Sequence, residues 1–109
     1  MSGITTHVLD AVLGMPAEGV GIGLEKLEGA AWVSIASSIT DEDGRCDDLA
    51  THAGAGVYRL TFGTGEYLMR MDRTSIYPVI SITFTCGGEA HYHLPVLLSY
   101  ISYTTYRGS

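Results

Sequence analysis

The segment His91-Tyr92-His93 puts two imidazoles at positions i and i+2. On a β-strand such positions share one face, about 6.6 Å apart. An imidazole titrates at about pH 6.5, so it can take and return a proton near neutrality. A pair so placed is equipped for general acid–base work. It can also chelate a divalent metal if a third ligand is near. His7, in Ile4-Thr5-Thr6-His7-Val8-Leu9-Asp10, is the candidate third group. If that stretch is a strand, Ile4, Thr6 and Val8 share a face, and His7 lies on the other with Thr5 and Leu9. Two solvated surface histidines and a structural His7 would show the same spacings. His52, in Ala50-Thr51-His52-Ala53-Gly54, reads as a loop residue.

Arg45 follows the turn Asp43-Gly44 and is flanked by Asp41, Glu42, Asp43, Asp47 and Asp48. It is either a surface guanidinium solvated among acids or a fork held out by the turn to grip carbonyl or imide oxygens. The C-terminal Tyr103-Thr104-Thr105-Tyr106-Arg107-Gly108-Ser109 stays β-prone to its last residues. It crowds a phenol, a guanidinium, a hydroxyl and a carboxylate into four positions. Such a set suits a ligand, or a soluble edge-strand ending.

The elements that must position these groups are short and closely punctuated. Fourteen glycines are spread along the chain, and turn signals recur every eight to twelve positions, the spacing of an all-β sandwich or barrel. Val20, Ile22 and Leu24 alternate with Gly21, Gly23 and Glu25, a half-buried strand ending near Glu28-Gly29. Ala31 to Ile39 is the next run, with Trp32 and Ser34 opposite Val33 and Ile35. Val57 to Phe62 presents Tyr58, Leu60 and Phe62 to one side. A strand through Ile80, Ile82 and Phe84 is started by Pro78, which lacks an N–H for the ladder. His91 to Ser99 and Ser102 to Arg107 complete the set. Leu68 and Met71 at i, i+3 and Tyr67 and Met71 at i, i+4 predict one helix, Glu66 to Asp72, with Thr64 as its N-cap. Seven to eight strands and one short helix in one domain, residues 1–109, give an all-β two-sheet sandwich.

Composition narrows the function. The chain has 109 residues, a formal net charge of -6 and six scattered basic residues. Nucleic acid and anionic membranes are poor partners for it, because both select clustered positive charge. No run approaches the roughly 18 apolar residues of a membrane span. The N-terminus lacks the pattern of a signal peptide. Cys46 and Cys86 stand forty positions apart, without zinc-site spacing, and read as reduced thiols. The expected compartment is the cytoplasm. There is no Gly-x-Ser-x-Gly nucleophile motif, and Gly19-Val20-Gly21-Ile22-Gly23 falls in a strand pattern rather than a dinucleotide fingerprint.

Four motifs taken in order carry a family resemblance: Thr6-His7-Val8-Leu9-Asp10, Asp43-Gly44-Arg45, His91 to Ser99 (HYHLPVLLS) and Tyr106-Arg107-Gly108-Ser109. Together with Gly65-Glu66-Tyr67 and Tyr77-Pro78, they make the chain similar throughout its length to the 5-hydroxyisourate hydrolases of the transthyretin-like family. Leu94 stands where that family commonly has Val, and Tyr100-Ile101 where it often has Pro or Gly.

The resemblance implies a transthyretin-like sandwich assembled as a homotetramer, a dimer of dimers, with active sites in the channel between dimers. The implied reaction is hydrolysis of the cyclic amide of 5-hydroxyisourate, a small-molecule substrate, without cofactor or metal. Its catalytic positions fall on His7, Arg45, His93 and Ser109. Its substrate-binding positions fall on His7, Arg45, His91, Tyr106, Arg107 and Gly108. In this reading His93 is the general base on water, His7 its partner, and Arg45 the stabiliser of developing negative charge. Tyr106 and Ser109 close the pocket. The alternative function is a non-catalytic transthyretin-like carrier of a small ligand, which transthyretin itself exemplifies without the polar set or the terminal tetrapeptide. A zinc hydrolase using His7, His91 and His93 is a further rival.

Overall fold

In the computed structural model the described residues are 3–88 and 90–109, and they form nine strands and one helix in two sheets. The first sheet combines one local hairpin with two longer-range pairings. Gly29 takes a left-handed φ of 64° and turns β3 (Gly21–Glu28) back as β4 (Ala31–Ile39). β6 (Gly56–Phe62) pairs with the other edge of β3, and β7 (Ile80–Cys86) pairs with β6, giving the order β4-β3-β6-β7. Alternation puts Ile22, Leu24, Tyr58, Leu60, Phe62, Ile80 and Ile82 in the core. Fully burying one such side chain stabilises the fold by about 1.5–3 kcal/mol.

The second sheet is built around β1 (Ile4–Asp10). β8 (Tyr92–Leu98) runs parallel to β1 along one edge. The other edge receives β5 (Arg45–Ala50) near its start and the two-residue β2 (Met15–Pro16) near its end, both antiparallel. β9 (Tyr103–Thr105) closes the far side of β8. Ile4, Thr6 and Val8 face the core with Leu94, Val96 and Leu98. The connection into β9 is tied by serines: Ser99 N–H donates to the Ser102 carbonyl at 3.0 Å, and Ser99 Oγ lies 3.0 Å from Ser102 Oγ. That hydrogen bonding turns the chain at Tyr100-Ile101 without Pro or Gly.

Two strands lie outside the sequence expectation. β5 (RCDDLA) buries Cys46 and Leu49, three apart, because its pairing with β1 shifts register between Ile4 and Thr6. The bulge breaks the period of two that marks a strand in sequence, and two aspartates depress strand propensity further. β2 is too short to show a period.

The helix also differs in its bounds. α1 spans Thr64–Met69 with Gly63 at the N-cap and no side-chain cap, instead of Glu66 to Asp72 capped by Thr64. Thr64 is turned into the core, where its Oγ1 has no hydrogen-bond partner. Asp72 sits beyond the helix at φ 55°; its N–H donates to the Met69 carbonyl and Arg73 N–H to the Leu68 carbonyl, a Schellman closure. Pro78 precedes β7 rather than starting it, and its carbonyl accepts from Gly65 N–H at 3.1 Å.

A buried carboxylate locks β1 to the helical segment. Asp10, 0% exposed, accepts from Arg73 Nη1 (2.7 Å), Arg73 Nη2 (3.1 Å), Tyr67 Oη (3.0 Å) and the Val12 and Leu13 N–H groups (3.1 Å each). Arg73 Nε also reaches Tyr100 Oη at 2.8 Å. Burial alone would raise the Asp10 pKa; the Arg73, Leu13 and Tyr67 hydrogen bonds outweigh it and hold the carboxyl below its ordinary value.

Candidate active site

Strand register gathers the chemically equipped residues on one sheet face. On β1, Thr5 and His7 lie on the side opposite the core residues Ile4, Thr6 and Val8. His7 is register-paired with Arg45 on β5, and Thr5 with His93 on β8. Paired residues on neighbouring strands share a face, so His7, Arg45, Thr5 and His93 form a patch three strands wide. Residues about forty and eighty-six positions from His7 thus become its lateral neighbours.

The turn that delivers Arg45 is tightly specified. Asp41 Oδ1 accepts from the N–H groups of Asp43 (2.9 Å) and Arg45 (3.0 Å), and Gly44 N–H donates to the Asp41 carbonyl at 2.9 Å. Gly44 adopts φ 75° and lies against the Val8 carbonyl, where a Cβ would collide with that oxygen. Its own carbonyl accepts from Val8 N–H at 2.7 Å. Arg45 leaves this turn exposed, at the first position of β5.

Each histidine has a defined partner. His7 Nε2 lies 2.8 Å from the Asp43 carbonyl, which only accepts, so His7 donates from Nε2 and, in its neutral form, has its lone pair on Nδ1. His93 Nδ1 lies 2.8 Å, and His91 Nε2 2.9 Å, from Thr5 Oγ1. His91 precedes β8 instead of opening it, yet its ring returns to the same face. His93 is half-buried, and its pKa is lowered from the ordinary 6.5. Burial is the main cause, followed by the positive charges of Arg45, His7 and His91, with Asp47 opposing. Both effects favour the neutral imidazole, the form a base requires.

The C-terminal segment lies along β8. Gly108 N–H donates to the His93 carbonyl at 2.7 Å, and a Cβ at residue 108 would come within 2.8 Å of His93 Cδ2. Arg107 is placed on the strand itself: Nη2 donates to the His91 carbonyl at 3.2 Å, and the guanidinium stacks 4.1 Å from the Tyr92 ring centroid. Tyr106 and Ser109 are exposed beside it. His52 lies in a bend two residues after β5. No group of three or more His, Cys, Asp or Glu side chains among the described residues is arranged to hold a metal ion. A cavity of about 220 Å³ beside α1, lined by Gly65, Glu66, Met69, Thr74, Ser75 and Pro78, contains none of the patch residues.

Thr5 is the functional-face residue that the motifs passed over. Its signal was present, since it shares a strand face with His7, but a threonine in a strand is ordinary and its two partners lie more than eighty residues away.

Fold and patch together define a transthyretin-like β-sandwich whose outer sheet face carries histidines and an arginine. The chain belongs to the HIUase/Transthyretin family, whose model matches residues 4–108. It is 42% identical to the 5-hydroxyisourate hydrolase of Mus musculus over 99% of this chain and 96% of that protein. The solved structure of Klebsiella pneumoniae 5-hydroxyisourate hydrolase superimposes with a TM-score of 0.89 at 37% identity, covering 100% of this chain and 94% of that one. Transthyretin from Sparus aurata superimposes with a TM-score of 0.92 at 34% identity, covering 97% and 96%.

Proposed function

We propose that this chain is a hydrolase that opens the cyclic amide of 5-hydroxyisourate, giving 2-oxo-4-hydroxy-4-carboxy-5-ureidoimidazoline in urate breakdown. The observation that carries this reading is the convergence of His7, Arg45 and His93 on one sheet face, in a chain so similar to named 5-hydroxyisourate hydrolases. Family fold alone does not choose between hydrolase and carrier, because a transthyretin superimposes equally well.

Amide hydrolysis needs water deprotonated, an oxyanion stabilised and the leaving nitrogen protonated. His93, neutral and half-buried, is the base on water and returns the proton to the leaving nitrogen. His7 orients the water through its Nδ1 lone pair. Arg45 binds the substrate oxygens and offsets charge as it develops. Ser109 and Tyr106 close the pocket over the ring. Gly108 and Arg107 bring this tail to the substrate by holding it against β8, and His91 completes the binding wall.

The patch is an open surface on one chain, so its enclosure is assigned to a homotetramer, a dimer of dimers. Leu9 and Leu97 share this face half-covered, and Val12, Leu13 and Ile101 nearby in sequence are 44%, 50% and 73% exposed. Sedimentation velocity would show a species of four chains. No helix of the described residues is long and apolar enough to cross a membrane. The proposed compartment is the cytoplasm, in keeping with Cys46 and Cys86 as free thiols.

The test is to generate 5-hydroxyisourate in situ from urate with uricase and follow its ultraviolet absorbance with and without the protein. Faster decay than the spontaneous rate supports the hydrolase. An unchanged rate with the folded protein would make the carrier the better reading.

A further inference from the structure

The Thr5 hydroxyl touches two imidazoles at once, 2.8 Å from His93 Nδ1 and 2.9 Å from His91 Nε2. A hydroxyl has one proton and two lone pairs, so both rings cannot be acceptors from it. Three arrangements remain. His93 donates and His91 accepts; both donate; or His91 donates and His93 accepts. In the first two, His93 carries its proton on Nδ1 and presents an unprotonated Nε2 to the open face. In the third, Nε2 is protonated and the ring faces substrate as an acid.

We propose that Thr5 is the positioning residue that sets the tautomer of His93, accepting from its Nδ1–H and so keeping the Nε2 lone pair free for water. This rests on His93 being the base, which deepens the hydrolase reading. A base whose lone pair is directed at Thr5 has nothing to offer the substrate. When His93 takes the proton of water at Nε2, the imidazolium keeps its Nδ1–H and the bond to Thr5 persists unchanged. Reversed polarity would require the hydroxyl to swing as the ring is protonated. Thr5 is 9% exposed on β1, and its register pairing with His93 fixes the approach, so the hydroxyl has little freedom to leave. On the other side of the ring, a Cβ at residue 108 would come within 2.8 Å of Cδ2, next to Nε2, so a glycine there leaves the ring its place.

The test combines histidine ¹⁵N NMR with kinetics on wild type, Thr5→Val and Thr5→Ser. In the wild-type protein, without substrate, His93 is expected as the Nδ1–H tautomer. Thr5→Val should move it toward Nε2–H and lower kcat roughly 10- to 100-fold, the size of one hydrogen bond to an ionised group, with KM changed little. Thr5→Ser, which keeps the hydroxyl, should restore both tautomer and kcat. A wild-type His93 found as Nε2–H overturns the proposal, and so does a Thr5→Val spectrum that keeps the wild-type tautomer. The wild-type spectrum decides even if Thr5→Val does not fold. If the tautomers behave as stated but the wild type fails to speed substrate decay, the hydrolase reading falls while Thr5's control of His93 stands.

Discussion

Strand β1 carries two polar clusters with opposite fates. At its end, Asp10 is buried and surrounded by Arg73, Tyr67 and two backbone N–H groups, so its carboxylate is fully occupied. Three to five residues earlier, on the other face, Thr5 and His7 join His93 and Arg45 in a patch that is only half-covered. Even positions of β1 face inward and odd positions outward, so one strand serves both. A buried ion must have every hydrogen bond satisfied to be tolerated. A reactive group must keep one valence unsatisfied. The same residue types become framework or chemistry according to which requirement their strand face imposes.

The comparison is sharpest under substitution. His93→Asn should lower kcat/KM about 10²–10⁴-fold, the usual contribution of general acid–base catalysis, while thermal unfolding stays within a few degrees of wild type. Asp10→Asn should do the reverse. Leaving Arg73 without its buried counter-charge costs about 3–5 kcal/mol of stability, readable by urea titration, with turnover per folded molecule unchanged. Equal stability losses in the two variants would erase the distinction between the clusters.

A smaller effect is expected at Gly108. Its Cβ would intrude on His93 Cδ2, so Gly108→Ala should displace the ring or the tail and lower kcat roughly 10- to 100-fold, since sub-ångström misplacement is costly in catalysis. Steady-state kinetics read this directly, and Asp10 chemistry should be unaffected.

The smallest effects are in pH dependence, and they differ in sign of cause. Asp10 has a folded pKa below its unfolded value, so its stabilisation is present above the ordinary 3.8 and is lost as pH falls through the lower folded value. His93 also has a lowered pKa, but as a base it is favoured neutral by the fold. The unfolded chain binds its proton first, so stability declines as pH drops from 6.5 toward the folded value. The acid limb of kcat/KM should accordingly lie below pH 6.5. Arg45→Gln should move the His93 titration upward in NMR by removing the nearby positive charge. A limb unmoved by that change would detach Arg45 from the base.

Much of this was legible in the sequence, for reasons tied to particular residues. The strand of Tyr58, Leu60 and Phe62 shows a clean period of two, and so does that of Ile22 and Leu24. His7 and His93 were marked by their places in strand-like runs and Arg45 by the turn before it, and the family resemblance is what singled the three out together. β5 was hidden because its bulge puts Cys46 and Leu49 at spacing three. The helix start was misplaced because Thr64, a good cap by type, is turned into the core by tertiary packing. Thr5 and the Arg107 contact to Tyr92 depend on which strands become neighbours, which no local pattern encodes.

The parallel pairing of β1 with β8 also governs when the patch can exist. The β3–β4 hairpin closes locally, whereas the Thr5–His93 contact spans 88 residues of sequence. Closing so long a loop carries an entropic cost that long-range contacts offset only afterwards, the hallmark of slow, high-contact-order folding. Trp32, on β4 and paired with Leu27 of β3, reports that hairpin. During refolding its fluorescence should reach the native value before turnover returns, because activity waits on the meeting of two distant strands.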